Sequence, residues 1–273
     1  MTTYEGFAAL ERDGWSNDAV AAGYVDLFAP ACDLVIPKIV ASVPGGSRVL
    51  DLCCGHGNVL EALLAAGHSV VGVDFSPVMV ARARARLPAG DFVEADAQDL
   101  PFPDRDFDAV VCSFGMMHVP DQPQALAQAK RVLRPGGLFM LTAWCGPDVS
   151  PAFQVVYGCI QTHGDPGVKL PASPNFHQFA DEAIARRLLA DAGLVLERSE
   201  KIDCYWSLSS PEQFAEIIEQ GTPRAGYLLR QQPAQNGVAI KSAMAEAVRK
   251  RFERGDRWHV PIPAVLIAAR ATR

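Results

Sequence analysis

Val49-Leu50-Asp51-Leu52-Cys53-Cys54-Gly55-His56-Gly57-Asn58 compresses a strand, a turn and a helix start into ten residues. Val49 to Leu52 read as a buried strand carrying one acid, and Val59 to Ala66 read as a helix that stops at Gly67. A strand, a tight glycine turn and a helix N-terminus form a ligand cradle. Gly55 and Gly57 allow close backbone approach and a positive φ without a Cβ clash. The carboxylate of Asp51 places negative charge beside the cradle, which repels a pyrophosphate and welcomes an ammonium group.

Working outward, strands and helices alternate. Strands are expected at Arg48–Leu52, Ser69–Val73, Asp91–Glu94, Phe107–Ser113 and Leu138–Trp144, with helices at Asn58–Ala66, Pro77–Leu87 and Pro123–Leu133. Apolar strands alternating with helices predict a parallel sheet covered on both faces. Ahead of them, residues 16–43 are helix-like, with Ser16 as N-cap and a break near Pro30. Residues 146–175 hold five prolines and four glycines and read as an irregular or short-helical insertion. Beyond it come a helix at Gln178–Ala192, a strand at Val195–Trp206, a helical stretch from Pro211 to Arg254 and a last strand at Ala264–Ala269. Two late strands around a helical insert predict a terminal antiparallel hairpin carrying a lid.

The 273 residues, 49% hydrophobic, suffice for a sizeable core. A net charge of −6 with scattered basic residues gives no electrostatic footprint for nucleic acid. No apolar run is expected to approach the roughly 20 residues that span a bilayer. The seven cysteines are an odd number without a C-x-x-C pair, the usage of a reducing, cytoplasmic compartment. His163 and His177 near Asp165 lack metal-ligand spacing, so no metal site is expected.

Two nucleotides compete for the cradle. A dinucleotide site, as in an NAD-dependent dehydrogenase, wants a third glycine where Leu60 stands, although Asp74 ends strand two as required. S-adenosylmethionine fits better. Its ammonium and sulfonium favour acid near strand one, and Asp74 can accept hydrogen bonds from both ribose hydroxyls. Its adenine wants an apolar slot with an acceptor, which Phe75, Met79 and the segment holding Asp96 and Ala97 supply. Ser113 and Phe114 end strand four, in the crevice where open α/β sheets bind ligands.

At these residues the chain resembles the class I S-adenosylmethionine-dependent methyltransferases, and most closely the small-molecule branch that includes the ubiquinone and menaquinone C-methyltransferases. The matching motifs are Val49–Gly57, Val71-Gly72-Val73-Asp74-Phe75-Ser76, Glu94–Phe102, Phe107–Phe114 and Arg131–Gly137. The resemblance implies a Rossmann-like sheet of seven mostly parallel strands with the last antiparallel. It implies one domain over 1–273, with a core at about 30–145, an insertion at 146–175 and a lid insertion at about 211–255. The cofactor-binding residues expected are Asp51, Cys53, Gly55, Gly57, Asp74, Phe75, Met79, Asp96, Ala97, Ser113 and Phe114. Cys53 departs from the family's glycine, and His56 from its small residue. His118 is the candidate proton acceptor, and Trp15 and Tyr24 are candidates to close over the cofactor. The expected activity is methyl transfer to a small, partly apolar molecule by in-line displacement. A cofactor-binding module without chemistry is the alternative reading, and a dehydrogenase the weaker one.

Overall fold

The computed structural model describes residues 4–272. At its centre is a seven-stranded sheet in the order β3-β2-β1-β4-β5-β10-β6. The strands are β1 (Arg48–Leu52), β2 (Ser69–Asp74), β3 (Asp91–Glu94), β4 (Phe107–Ser113), β5 (Leu133–Trp144), β6 (Leu194–Ile202) and β10 (Ala264–Ala271). The first five pair in parallel, while β10 lies antiparallel between β5 and β6. The terminal hairpin is thus closed by pairing of β10 with β6 across some sixty intervening residues.

Chain order reverses between β1 and β4, and a crevice opens there beyond the strands' carboxyl ends. Val49, Leu50 and Leu52 of β1 and Ala109 to Cys112 of β4 are fully buried, as a sheet covered on both sides demands. The covering helices include α3 (Asn58–Ala65), α4 (Pro77–Arg86), α5 (Gln122–Val132) and α7 (Glu182–Asp191). Leu60, on the first turn of α3, lies against Gly72 of β2, where an added Cβ would meet its Cδ1 at 2.9 Å. Close helix–strand packing is therefore achieved with the glycine on the strand and the large residue on the helix, the reverse of the dinucleotide arrangement.

Before the sheet come α1 (Glu5–Trp15) and the longer α2 (Asp18–Ser42). Ser16 is not the N-cap of α2. Its amide closes α1 by donating to Arg12 O, and Asn17 Oδ1 caps α2 by accepting from the amides of Ala19 and Val20. Nor does α2 break at Pro30. A π-helical turn at Tyr24–Phe28, closed by Ala29 N donating to Tyr24 O, widens the helix directly ahead of the proline. Proline lacks an N–H and crowds the carbonyl four residues back, and the wide turn absorbs that misfit. By length and composition α2 is long and apolar enough to cross a membrane, contrary to the expectation from sequence. Its Ala21, Ala31, Val35 and Ile39 are fully buried in this fold, beside Asp26, Asp33 and Lys38 on the same helix.

Residues 146–175 contain a longer helix than expected, α6 (Pro151–His163), whose N-cap Ser150 accepts from Phe153 N. The expected strand at Val195–Trp206 divides after Ile202. Its second half, β7 (Tyr205–Leu208), joins β9 (Arg257–Pro261) and β8 (Glu253–Arg254) in a separate antiparallel sheet. Between β7 and β8 run α8 (Gln213–Gly221), α9 (Arg224–Arg230) and α10 (Ala234–Arg251). Helix α8 packs across the π turn, α9 against α1, and α10 against α6. Two glycines set the first crossing: a Cβ on Gly23 would lie 2.5 Å from Gln220 O, and one on Gly221 would lie 3.1 Å from Gly23 O.

Candidate active site

Two cavities meet above the crevice between β1 and β4. The first, of about 1060 Å³, is lined by Cys53, Gly55, Asp74, Phe75, Met79, Asp96, Ala97, Ser113, Phe114 and His118, together with Ala8, Glu11, Arg12 and Trp15 of α1. The second, of about 870 Å³, is largely aromatic, with Phe28, Phe114, Trp144, Phe153, Phe176 and Trp206 in its wall. Trp15, Tyr24, Phe114 and His118 border both.

The floor of the first cavity is built by the turns after β1 and β2. Asp74 Oδ2 accepts from Gly55 N at 2.9 Å and its Oδ1 from Ser76 N at 2.9 Å, so one carboxylate ties the two turns together. Burial raises its pKa against the pull of those two bonds. Each oxygen keeps a further lone pair for a ligand. Gly55 and Gly57 both adopt positive φ, +52° and +80°. Gly57 lies outside the cavity walls, where it serves the entry into α3 beneath Phe92.

Asp51 sits one layer lower, 1% exposed, in a narrow recess with Cys53, Gly55 and His56. Burial pushes its carboxyl up to about 8, and its Oδ2 has no hydrogen-bond partner among the described residues. An orphaned buried carboxylate beside a positive-φ glycine turn suits an incoming ammonium group. His56 neither faces solvent nor offers a charge. It is buried edge-on to Tyr24, 6.1 Å between ring centroids, and burial lowers its pKa to about 4.

Cys53 holds φ +59°, a conformation that glycine adopts freely and other L-residues at a cost. Its side chain lies against Gly115, where an added Cβ would come within 2.3 Å of Cys53 Cβ. Phe114 also has positive φ, +54°. Thr142 accepts its amide through both O and Oγ1, and its ring stacks on Trp144 with centroids 3.9 Å apart. Two strained residues at the strand ends thus line the first cavity, and Phe114 borders the second as well.

Helix α1 forms the roof. Ser76 Oγ donates to Trp15 O at 2.7 Å and accepts from Met79 N, fastening the end of α1 to the start of α4. Glu11, buried at 2% exposure, lies 2.8 Å from His118 Nδ1 and accepts from Trp15 Nε1 at 3.1 Å. With Nδ1–H donated to the carboxylate, His118 keeps its lone pair on Nε2. Sequence reading missed Glu11, because an acid on an amphipathic helix looks solvated until its partner 107 residues away is known. It missed Arg224 and Phe176 likewise. Asp96 lines the cavity, its two oxygens accepting from the amide and side chain of Gln98. Trp206 borders the second cavity and donates from Nε1 to Phe28 O, while Phe214 and Met244 are plain core. His177 is a wall support, with Nδ1 3.1 Å from Trp144 O and Nε2 3.1 Å from the Tyr157 hydroxyl.

Residues 50–141 match a family profile described as a methyltransferase domain. The demethylmenaquinone methyltransferase of Renibacterium salmoninarum is 42% identical over 123 residues, covering 45% of this chain and 51% of that protein. The enzyme of the same name from Clavibacter sepedonicus is 45% identical over 137 residues, covering 49% and 54%. The chain thus spans about half the length of these curated relatives. Among solved structures, phosphoethanolamine N-methyltransferase 2 of Haemonchus contortus, in complex with S-adenosylhomocysteine, superposes with a TM-score of 0.58 at 19% identity, covering 98% of this chain and 60% of that one. At that identity the likeness speaks for the fold alone. The profile places a methyltransferase domain at residues 50–141, and both relatives carry methyltransferase names.

Proposed function

We propose that the protein transfers the methyl group of S-adenosylmethionine to a small, partly apolar molecule. The observation that carries this is the pair of cavities sharing Trp15, Tyr24, Phe114 and His118: one acid-floored at the strand ends, the other walled by aromatic rings. The curated relatives, named for demethylmenaquinone, support an acceptor with apolar character.

In this reading Asp51 receives the cofactor's ammonium group and Asp74 its ribose hydroxyls. Phe75, Met79, Asp96 and Ala97 enclose its adenine, with Cys53, Ser113 and Phe114 near its sulfur. The bound cofactor supplies an electrophilic sulfonium methyl. The chain's own contribution is to hold the acceptor in line with it. Such positioning accounts for roughly 7–11 kcal/mol of barrier in well-oriented reactions. His118, held by Glu11, takes a proton from an acceptor that arrives protonated, a role worth about 10²–10⁴-fold. The aromatic roof and walls exclude water from the methyl's path.

Calorimetry with S-adenosylhomocysteine tests the first half, and absence of binding would end the proposal. Asp74→Ala should weaken that binding at least about tenfold, the loss expected for charge-assisted hydrogen bonds. An unchanged affinity would remove Asp74 from the site. Transfer of labelled methyl to an added acceptor separates an enzyme from a module that only binds cofactor.

A further inference from the structure

Among the described residues lining the second cavity, Arg224 carries the fixed positive charge. Arg224, at the start of α9, holds its guanidinium between the rings of Phe7 and Phe176, with its central carbon 5.1 Å from each centroid. Its Nη2 donates to Ser173 Oγ at 3.0 Å. Among the described residues its Nη1 is buried without a hydrogen-bond partner, and the acid whose charge reaches the guanidinium, Glu11, forms no ion pair with it. A guanidinium offers five N–H donors in a rigid fork. A buried charged donor left without an acceptor costs free energy that a bound anionic oxygen recovers.

The surroundings narrow the ligand further. His118, on the cofactor side, also leans on Phe176, with ring centroids 5.6 Å apart. Phe176 is therefore flanked by the proton-accepting imidazole and by the cation. The rest of the wall is mostly aromatic or aliphatic, with Phe28, Trp144, Phe153 and Trp206 from four separate elements, and Cys32 and Thr222 among its few polar members. A flat skeleton of one or two fused rings fits such walls by stacking.

Resting on the methyl-transfer reading above, we propose that the acceptor is a planar aromatic carboxylate, its carboxylate held by Arg224 and its ring system presented toward His118 and the cofactor cavity. The carboxylate pairs with the fork of the guanidinium. The cation fixes which end of the molecule points away from the reacting methyl. Arg224 thereby acts as the orienting and specificity-determining residue of the second cavity, and the aromatic walls supply binding area without selecting an end.

The experiment uses the full chain saturated with S-adenosylhomocysteine, titrated with 2-naphthoate and with its neutral isostere 2-naphthamide. The naphthoate should bind at least about tenfold more tightly, the discrimination expected of a hydrogen bond to a charged group. In Arg224→Gln that preference should vanish, with naphthamide and S-adenosylhomocysteine binding unchanged. Arg224→Lys should recover part of it. Equal affinity for the two probes, a preference that survives Arg224→Gln, or no naphthoate binding to the cofactor-loaded protein would each overturn the assignment. If Arg224→Gln also loses S-adenosylhomocysteine, the residue is structural and the assignment falls. Failure of the wild-type chain to bind S-adenosylhomocysteine would instead strike the methyl-transfer reading itself, a separate and earlier result.

Discussion

The two cavities differ in how they are built. The first is floored by turns that directly follow strands, so Cys53, Gly55, Asp74 and Phe75 fall within three residues of a strand end. The second draws Tyr24, Phe114, Trp144, Phe153, Phe176, Trp206 and Arg224 from seven separate stretches of chain. A site written into β-turn-α units depends on backbone geometry that the sheet imposes. A site gathered from distant segments depends on helix packing, and can be altered without disturbing the first. The comparison predicts that substitutions sort by cavity: cofactor affinity should respond on one side and acceptor handling on the other.

The residues on the shared border provide the sharpest test. His118→Ala should lower labelled methyl transfer by about 10²-fold or more while leaving S-adenosylhomocysteine affinity within about twofold. A parallel loss of affinity would show that the border belongs to the cofactor cavity alone. Asp51→Asn should do the converse, weakening S-adenosylhomocysteine at least about tenfold by removing a charged partner.

The same Asp51 variant has an opposite effect on stability. In the folded, unliganded protein the carboxyl is raised to about 8 from an ordinary 3.8. Below pH ~4 it is protonated in both folded and unfolded chains. Between about pH 4 and about pH 8 only the folded chain keeps the proton, so stability falls as pH rises, by up to about 1.4 kcal/mol per unit, and levels off above. Asp51→Asn should remove that slope from denaturant titrations. A slope unchanged by the substitution would assign it to other groups.

Gly221→Ala should act on the second cavity. Its Cβ would press on Phe28 Cβ at 3.0 Å and on Gly23 O at 3.1 Å, forcing α8 away from α2. A destabilisation of about 1–3 kcal/mol and a raised KM for the acceptor are expected, with cofactor affinity intact. The smallest effect belongs to Cys53→Gly. Releasing a positive φ should raise unfolding free energy by about 1 kcal/mol and change S-adenosylhomocysteine binding little. A destabilised Cys53→Gly would mean that the thiol's packing beside Gly115 outweighs its strain.

That division also explains what was legible beforehand. The succession of strands and helices along the chain, the glycine turn, the place of Asp74 at the end of β2 and the hairpin of β6 and β10 followed from apolar periodicity and from turn residues next to one another in sequence. Trp15 and Tyr24 could be named as candidates because they are large aromatics near the N-terminus, yet their place on both cavities needed the fold. Glu11 and Arg224 look like surface charges in sequence, and their burial depends on α1, α9 and the 165–177 loop meeting. The split of the late strand into β6 and β7 was hidden for a similar reason. Trp206 turns inward to bond Phe28 O, a partner 178 residues away. The intact α2 was misread because Pro30 signals a break wherever a π turn is not there to receive it.

That turn also fixes the phase of everything ahead of it. A π turn accommodates one residue more than an α turn while the helix continues, and each residue of an α-helix turns the chain by about 100°. Deleting Val25 would close the wide turn and swing the preceding segment by about that angle about the axis of α2. Asp18–Gly23 would leave its seat against α8, and α1 would be carried off the strand ends together with Glu11 and Trp15. The two cavities keep a common border only at one helical phase, and a single-residue change of length in Tyr24–Phe28 is enough to lose it.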